Sequence, residues 1–452
     1  MKSINPATNI KIKEYREHSD AEVSDIIEKV HKEWLTWKEN TFEYRAGLFR
    51  NVARLLRNNK EKYSRLMTLE MGKIIRESVS EIEKCANGCD FYADHAQELL
   101  KEQVIPSDAS KSMVVFQPLG IILAVMPWNF PFWQVFRFAA PSLMAGNVAV
   151  LKHSSNVSGC ALAIEELFHE AGFPDHVFRT LMIPSGRVEP VIANRHIMAV
   201  TLTGSEPAGS NVAMIAGKLI KKTVLELGGS DAFIVLDDAD MKKTVLGAVA
   251  GRMVNMGQSC IAAKRFIVIG SRMEEFENKV KAAMAKLKMG DPLSPETDVG
   301  PLARKDLVDD IDRQVQRSVE IGAKLILGGK RADRPGFYYL PTILSEVKKG
   351  MPVYGQETFG PVLAIIRVNS AEEAIEVAND SDFGLGGSVW TKDLAHGEVV
   401  ARKIHTGAMF VNEITKSDPR LPFGGVKKSG YGRELSEYGI KEFVNIKTIW
   451  VR

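Results

Sequence analysis

Between residues 120 and 228 five apolar, β-rich runs recur: GIILAVMP (120–127), NVAVLK (147–152), VFRTLMI (177–183), MAVTLTG (198–204) and KTVLELG (222–228). Segments with helical patterning separate them. Near-continuous apolar runs alternating with helices indicate βαβ units and a parallel sheet buried on both faces. This predicts an α/β fold with a Rossmann-like cofactor domain. A second α/β series follows, with AFIVL, RFIVIG, Val362 to Val368, GGSVW and GAMFVN as strands and helices near 240–256, 272–286 and 303–321. Upstream, residues 20–100 read as long helices, the last near 74–100, with Ser19 and Asp20 as an N-cap. The runs QVIPS and KSMVVFQPLG flank Asp108, Ala109 and Ser110 and predict a hairpin at 103–118. The final run FVNIKTIWVR predicts a β segment whose apolar edge calls for pairing by another subunit.

A chain of 452 residues exceeds one ordinary core, so two or three domains are expected. Its net charge of +3, with acidic and basic residues mixed throughout, gives no nucleic-acid footprint. Four cysteines do not make a disulfide framework. Cys85 and Cys89 lie four apart on one helical face, and without a second pair they read as buried thiols instead of metal ligands. No apolar run has the length of a signal peptide or a membrane span. A cytoplasmic protein that binds neither nucleic acid nor membrane is expected.

Chemistry concentrates in MVNMGQSCIAAKR (253–265), where Cys260 is framed by small and polar residues. It reads either as a buried thiol or as a nucleophile, which needs a base and an oxyanion donor. Glu226, at a strand end before Gly228 and Gly229, is a solvated loop residue or a base that activates water. In PWNFP (127–131), Asn129 is an Asx-turn residue or a neutral oxyanion donor. No G-x-G-x-x-G fingerprint occurs. The looser turn TLTGSEPAG places Gly204 and Ser205 before a helix where a pyrophosphate can sit. LKHSSN puts Lys152 at another strand end, and His153 beside it reads as packing or a cofactor contact.

PWNFP, LELGGS, GQSC and ETFGPV, in that order, resemble the aldehyde dehydrogenase superfamily over nearly the whole chain. The separations of 34 residues from Glu226 to Cys260 (260 − 226) and 97 from Cys260 to Glu357 (357 − 260) agree with its hydrolytic members. PWNFPFWQVFR, LKHSSN and SDPRLPFGGVKKSGYGREL are most similar to succinate-semialdehyde dehydrogenases. The resemblance implies a cofactor domain at 1–102 and 119–228, a catalytic domain at 229–432, and a β flap for homo-oligomers, dimeric or tetrameric, at 103–118 and 433–452. It implies Cys260 as nucleophile, Glu226 as base, Asn129 as oxyanion donor, and no metal. It assigns Trp128, Lys152, Ser155, Gly204, Ser205, Glu357 and Phe359 to the cofactor, and Arg137, Ser417 and Arg420 to a substrate carboxylate. Arg420 reads equally as a loop cap. Relatives that prefer NAD commonly carry a glutamate where this chain has Ser155, so NADP is the expected cofactor, with NAD the alternative. The expected reaction oxidises succinate semialdehyde to succinate. The alternatives are another small aldehyde, or a CoA-acylating enzyme, against which Glu226 argues.

Overall fold

The structure, a computed structural model, describes residues 1–452. The helical stretch forms α1 (Asp20–Trp37), α2 (Phe42–Asn58), α3 (Lys60–Met71) and α4 (Ile75–Leu99). α1 opens on a capping box: Glu22 N–H donates to Ser19 Oγ, and Ser19 N–H donates to the Glu22 carboxylate. α4 buries Ile82, Cys85, Ala86, Cys89, Ala93 and Ala96 along one face, which makes both cysteines core thiols. Val23, Ile26, Ile27 and Val30 of α1 are buried, as helical spacing requires.

The five runs of 120–228 form a parallel sheet in the spatial order Lys222–Glu226, Ile197–Thr203, Ile121–Met126, Val148–His153, Phe178–Thr180. The central strand is almost wholly buried because helices cover both faces, which is why its sequence does not alternate. After it comes α5 (Trp133–Met144), every residue of which is buried. A sixth strand arrives from far along the chain: Gly430–Tyr431 runs antiparallel to Lys222–Glu226, pairing Gly430 with Glu226. Phe423, Leu435, Ile440, Phe443 and Val444 join the same core, so the chain crosses back to the first sheet before the expected boundary at 432.

The second sheet has seven strands, in the order Lys324–Leu327, Thr342–Ser345, Val362–Val368, Arg265–Ile269, Ala232–Val235, Gly387–Trp390, Phe410–Val411, around its own apolar core. Its first two strands were not read from the sequence. Lys324–Leu327 is an exposed to half-buried antiparallel edge with a register shift, so it lacks the continuous apolar character of a buried strand. The hairpin of Lys2–Asn5 with Ile10–Glu14 was also missed, its second strand being exposed throughout.

A third sheet brings the two flap segments together. Val444–Val451 pairs within its own chain, antiparallel to Lys111–Pro118 from Val444↔Pro118 to Val451↔Lys111, and Gln103–Val104 completes the sheet. Val444–Val451 stands at the edge of this sheet, added to the hairpin expected at 103–118, and its outer side has no partner within the chain. Ile446, Ile449, Trp450 and Val451 remain exposed. No helix is long and apolar enough to cross a membrane.

Candidate active site

The carboxyl ends of three adjacent strands of the first sheet face loops that enter strands of the second. Between them lies a cleft of about 370 Å³. The first sheet contributes Pro127 to Asn129, Thr203 to Ser205, Leu227 and Gly228; the other side contributes Cys260, Glu357, Phe359, Arg304, Leu307 and Asp310. Cys260 is the only cysteine that is not fully buried. Asn129, Cys260, Trp128, Gly204, Ser205, Glu357 and Phe359 therefore share one cavity.

The nucleophile loop is held by unusual backbone. Asn255, Met256 and Gly257 are all left-handed, with φ of 47°, 57° and 74°. A Cβ on Gly257 would stand 2.1 Å from the Gly360 carbonyl oxygen and 2.4 Å from Arg252 Nη2. Only glycine fits there. Buried Arg252 donates to the Gly257 carbonyl at 2.7 Å. Gly257→Ala should displace Cys260 and lower kcat about a hundredfold, since misplacement by about 1 Å costs that much. Steady-state kinetics on the purified variant checks this, and kcat within a factor of two of the parent would show that the loop relaxes without moving the thiol.

Around Cys260, Lys264 Nζ donates to the carbonyls of Ser259 (3.1 Å), Cys260 (2.7 Å) and Ala262 (3.1 Å), and stands 3.9 Å from the Glu357 carboxylate. Asn129 Nδ2 donates to Gln258 O at 3.1 Å while Asn255 Nδ2 donates to Asn129 O at 2.7 Å. An amide has two N–H groups, so one remains for a substrate oxygen. α4 supports both loops from below. Glu81 accepts from the Phe132 and Trp133 amides at 2.9 Å each and is paired with buried Lys73, whose ammonium lies 3.6 Å over the Phe130 ring. Glu77, one turn earlier, accepts from Asn255 N–H at 2.8 Å. Burial pushes Glu77 up to about 7 against the pull of Lys73.

Burial pushes the Cys260 thiol up to about 12, while Arg137 and Lys264 pull it down. Glu226 lies behind the cleft wall instead of lining it: its carboxyl abuts Gly424, and neither oxygen has a protein hydrogen-bond partner. Burial first, then the Glu434 carboxylate, raise it well above the usual carboxylate range, and Arg137 opposes them. Such an orphaned buried carboxyl is suited to taking a proton from an entering water.

On the cofactor side, the helix Glu206–Lys218 points its amino end into the cleft from Ser205, and no side chain caps it. A Cβ on Gly209 would meet Leu227 Cδ2 at 2.5 Å, so glycine lets this helix lie close to the sheet. Glu357 is held by Gly229 N–H at 3.0 Å. Lys152 is buried at the end of its strand, and Ser155, three residues on, is exposed. Both lie outside the cleft wall proper. The open helix end, an unpaired cation and a free hydroxyl together fit a phosphorylated dinucleotide. His153 is neutral packing: its Nε2 reaches Pro131 O at 2.9 Å, Ser154 N–H donates to Nδ1, and burial pulls it down to about 4.

Arg137, Ser417 and Arg420 lie outside the cleft wall proper. Arg137 is buried against Glu434, stacks 4.4 Å over Phe423 and reaches Thr203 Oγ1, so its charge is already matched. Arg420 is exposed and forked onto Asp418 at 2.6 and 2.8 Å, the loop-cap alternative. Ser417 accepts from Lys84 Nζ at 2.6 Å. Glu77, Glu81, Lys84, Lys264 and Glu434 escaped the reading. For Glu77, Glu81 and Lys84 the signal was charge at helical spacing inside an apolar face, RESVSEIEKC, where they fall near one face of α4; Lys264 and Glu434 lie outside helices and carried no such pattern.

The chain matches the aldehyde dehydrogenase family over residues 1–449. It is 51% identical over 449 residues to a probable succinate-semialdehyde dehydrogenase [NADP(+)] of Synechocystis sp., covering 99% of each chain. It is 48% identical over 454 residues to succinate-semialdehyde dehydrogenase [NADP(+)] 1 of Mycobacterium tuberculosis, again covering 99% of each. The crystal structure of succinic semialdehyde dehydrogenase from Streptococcus pyogenes, in complex with NADP+, superposes with a TM-score of 0.98 at 41% identity, covering 100% of this chain and 99% of that one. A cysteine and an amide sharing a cleft at the ends of a parallel sheet, in a chain alike along its whole length to these enzymes, make it a member of the aldehyde dehydrogenase family.

Proposed function

We propose that this chain oxidises succinate semialdehyde to succinate with NADP+. The observation that carries the reading is Cys260 facing the Asn129 amide in the same cleft as the open helix end at Ser205 and the Glu357 carboxylate. Full-length identity near one half to enzymes named for this substrate and cofactor supports it. The Cys260 thiol, drawn toward ionisation by Arg137 and Lys264, gives its proton to solvent in the cleft and attacks the aldehyde carbon as thiolate, and the free N–H of Asn129 with the Cys260 amide receives the oxyanion, a contact of about 3 kcal/mol at the transition state. Bound NADP+ supplies the hydride acceptor. Glu226 takes a proton from water, whose oxygen attacks the thioester carbon; the carbon–sulfur bond breaks, the acid leaves and the thiol is restored. Glu357 and Phe359 hold the nicotinamide end, Ser205 and Gly204 the pyrophosphate, and Lys152 and Ser155 the adenosine ribose phosphate, with Trp128 on the cleft wall. Residues 1–102 and 119–228 serve as cofactor domain, 229–432 as catalytic domain and the flap segments as the surface of a homo-oligomer.

Steady-state rates on succinate semialdehyde and butanal with NADP+ and NAD+ test the reading. Faster acyl-CoA than acid formation in the presence of CoA would overturn the hydrolytic role of Glu226. Ser155→Glu should cut kcat/KM with NADP+ at least tenfold more than with NAD+, because it sets a carboxylate against a phosphate. A parent preference for NAD+ of tenfold, about 1.4 kcal/mol, would sink the assignment of Ser155.

A further inference from the structure

Arg304 is the one cationic side chain on the wall of the cleft, where Asp310 and Glu357 are the anions. It stands just ahead of the helix Lys305–Glu320, which carries Leu307 and Asp310 along the same wall. The backbone before it is fixed, because Ala303 N–H donates to Gln258 Oε1 of the nucleophile loop at 2.8 Å. The side chain is held far more lightly. Its guanidinium lies 5.3 Å over the Trp128 ring, which itself meets Phe359 edge-on at 5.8 Å. Nε and Nη2 fork onto Asp306 at 2.9 and 2.8 Å, and Nη1 has no protein acceptor. The Asp306 side chain is 60% exposed, and an ion pair so open to solvent holds weakly. The two anions of the wall are engaged elsewhere, Asp310 with Arg313, and Glu357 with Gly229 N–H and buried Lys264. On the opposite wall the uncapped helix end at Ser205 opens into the same cavity.

We propose that Arg304 exchanges the Asp306 carboxylate for the diphosphate of the bound dinucleotide, which is then held from both walls of the cleft, by this guanidinium and by the helix end at Ser205. A diphosphate bridge carries two negative charges, and a helix end answers them with a partial charge only. The guanidinium adds a full charge and a planar fork that matches phosphate oxygens. Stacking on Trp128 is compatible with the exchange, because a guanidinium lying on an indole face keeps its edge donors free. The released Asp306 stays in solvent, so giving up the exposed pair costs little. The inference rests on the proposed use of a dinucleotide cofactor, and adds to it a residue that grips the cofactor from the catalytic side.

Dissociation constants of NADP+ and NAD+, measured by titration calorimetry without aldehyde on the parent, Arg304→Met and Asp306→Ala, test the exchange. Arg304→Met should weaken both cofactors roughly ten- to a hundredfold, the effect of losing a charge-assisted hydrogen bond, because both carry the diphosphate. Asp306→Ala frees the guanidinium and should bind both at least as tightly as the parent. The thermal midpoint of Arg304→Met without cofactor should match the parent's, since only an exposed ion pair is removed. Should that variant fail to fold, Arg304→Gln, which keeps donors but no charge, takes its place in the same titration. Unchanged affinity on loss of the guanidinium, a loss confined to NADP+, or weakening by Asp306→Ala as large as that by Arg304→Met overturns the role of Arg304. A parent enzyme that binds neither dinucleotide overturns the cofactor reading instead.

Discussion

Cys260→Ala should reduce aldehyde oxidation by a factor on the order of 10⁴ or more, because the reaction loses its only covalent route. Ser259, the adjacent hydroxyl, is buried, and its carbonyl is tied to Lys264, so it offers no substitute nucleophile. The remaining cysteines are sealed in the core. The cofactor surface is untouched, since Ser205, Glu357 and Lys152 depend on their own strands and loops, so NADP+ should still quench Trp128 fluorescence with the parent's affinity. Turnover within tenfold of the parent would remove Cys260 from the chemistry.

Glu226→Gln should separate the two halves of the reaction. Acylation leaves Glu226 idle, so a stopped-flow burst of one reduced cofactor per site is expected, followed by a steady state slowed by about 10²- to 10⁴-fold. Absence of the burst would place Glu226 earlier, on the thiol. The pH dependence has a definite sign. Burial and Glu434 raise the Glu226 carboxyl, and a base must be ionised to act, so parent deacylation rises with pH through the raised value while the variant's stays flat. Stability runs the other way. The folded state holds this proton more tightly than the unfolded chain does. The stability so gained is complete below the ordinary carboxylate range and is lost as pH rises through the raised value. Thermal midpoints of parent minus variant, followed toward alkaline pH, should fall accordingly.

The interior strands of the first sheet were legible because burial on both faces demands apolar runs, and Ile121–Met126 and Val148–His153 are read directly from that demand. Edge elements were not. Gly430–Tyr431 is two residues long and joins its sheet through a short backbone ladder and one hydroxyl contact, Tyr431 to Thr223, and Lys324–Leu327 faces solvent. In the site, residues carried by loops with distinctive composition could be assigned to a common place: Asn129 between aromatics, Cys260 among small residues. What the sequence does not show is which charges pair across the fold. Arg137 reads as a free guanidinium until Glu434, nearly three hundred residues later, is seen to close on it, and no local pattern announces that meeting.

The strand Val444–Val451 pairs with Lys111–Pro118 across an interval of 326 residues (444 − 118). A ribosome adding about 5 to 20 residues per second needs roughly 15 to 65 s to cover it. Throughout that time the nascent chain presents Lys111–Pro118 with one edge bare, and the core around Phe443 and Val444 is incomplete. The parallel sheet therefore cannot close its core as it is made, although its five strands lie within residues 121–226. Holding that edge apart from the edges of neighbouring nascent chains is a task for chaperones during synthesis, and any docking through the three-stranded sheet must follow release.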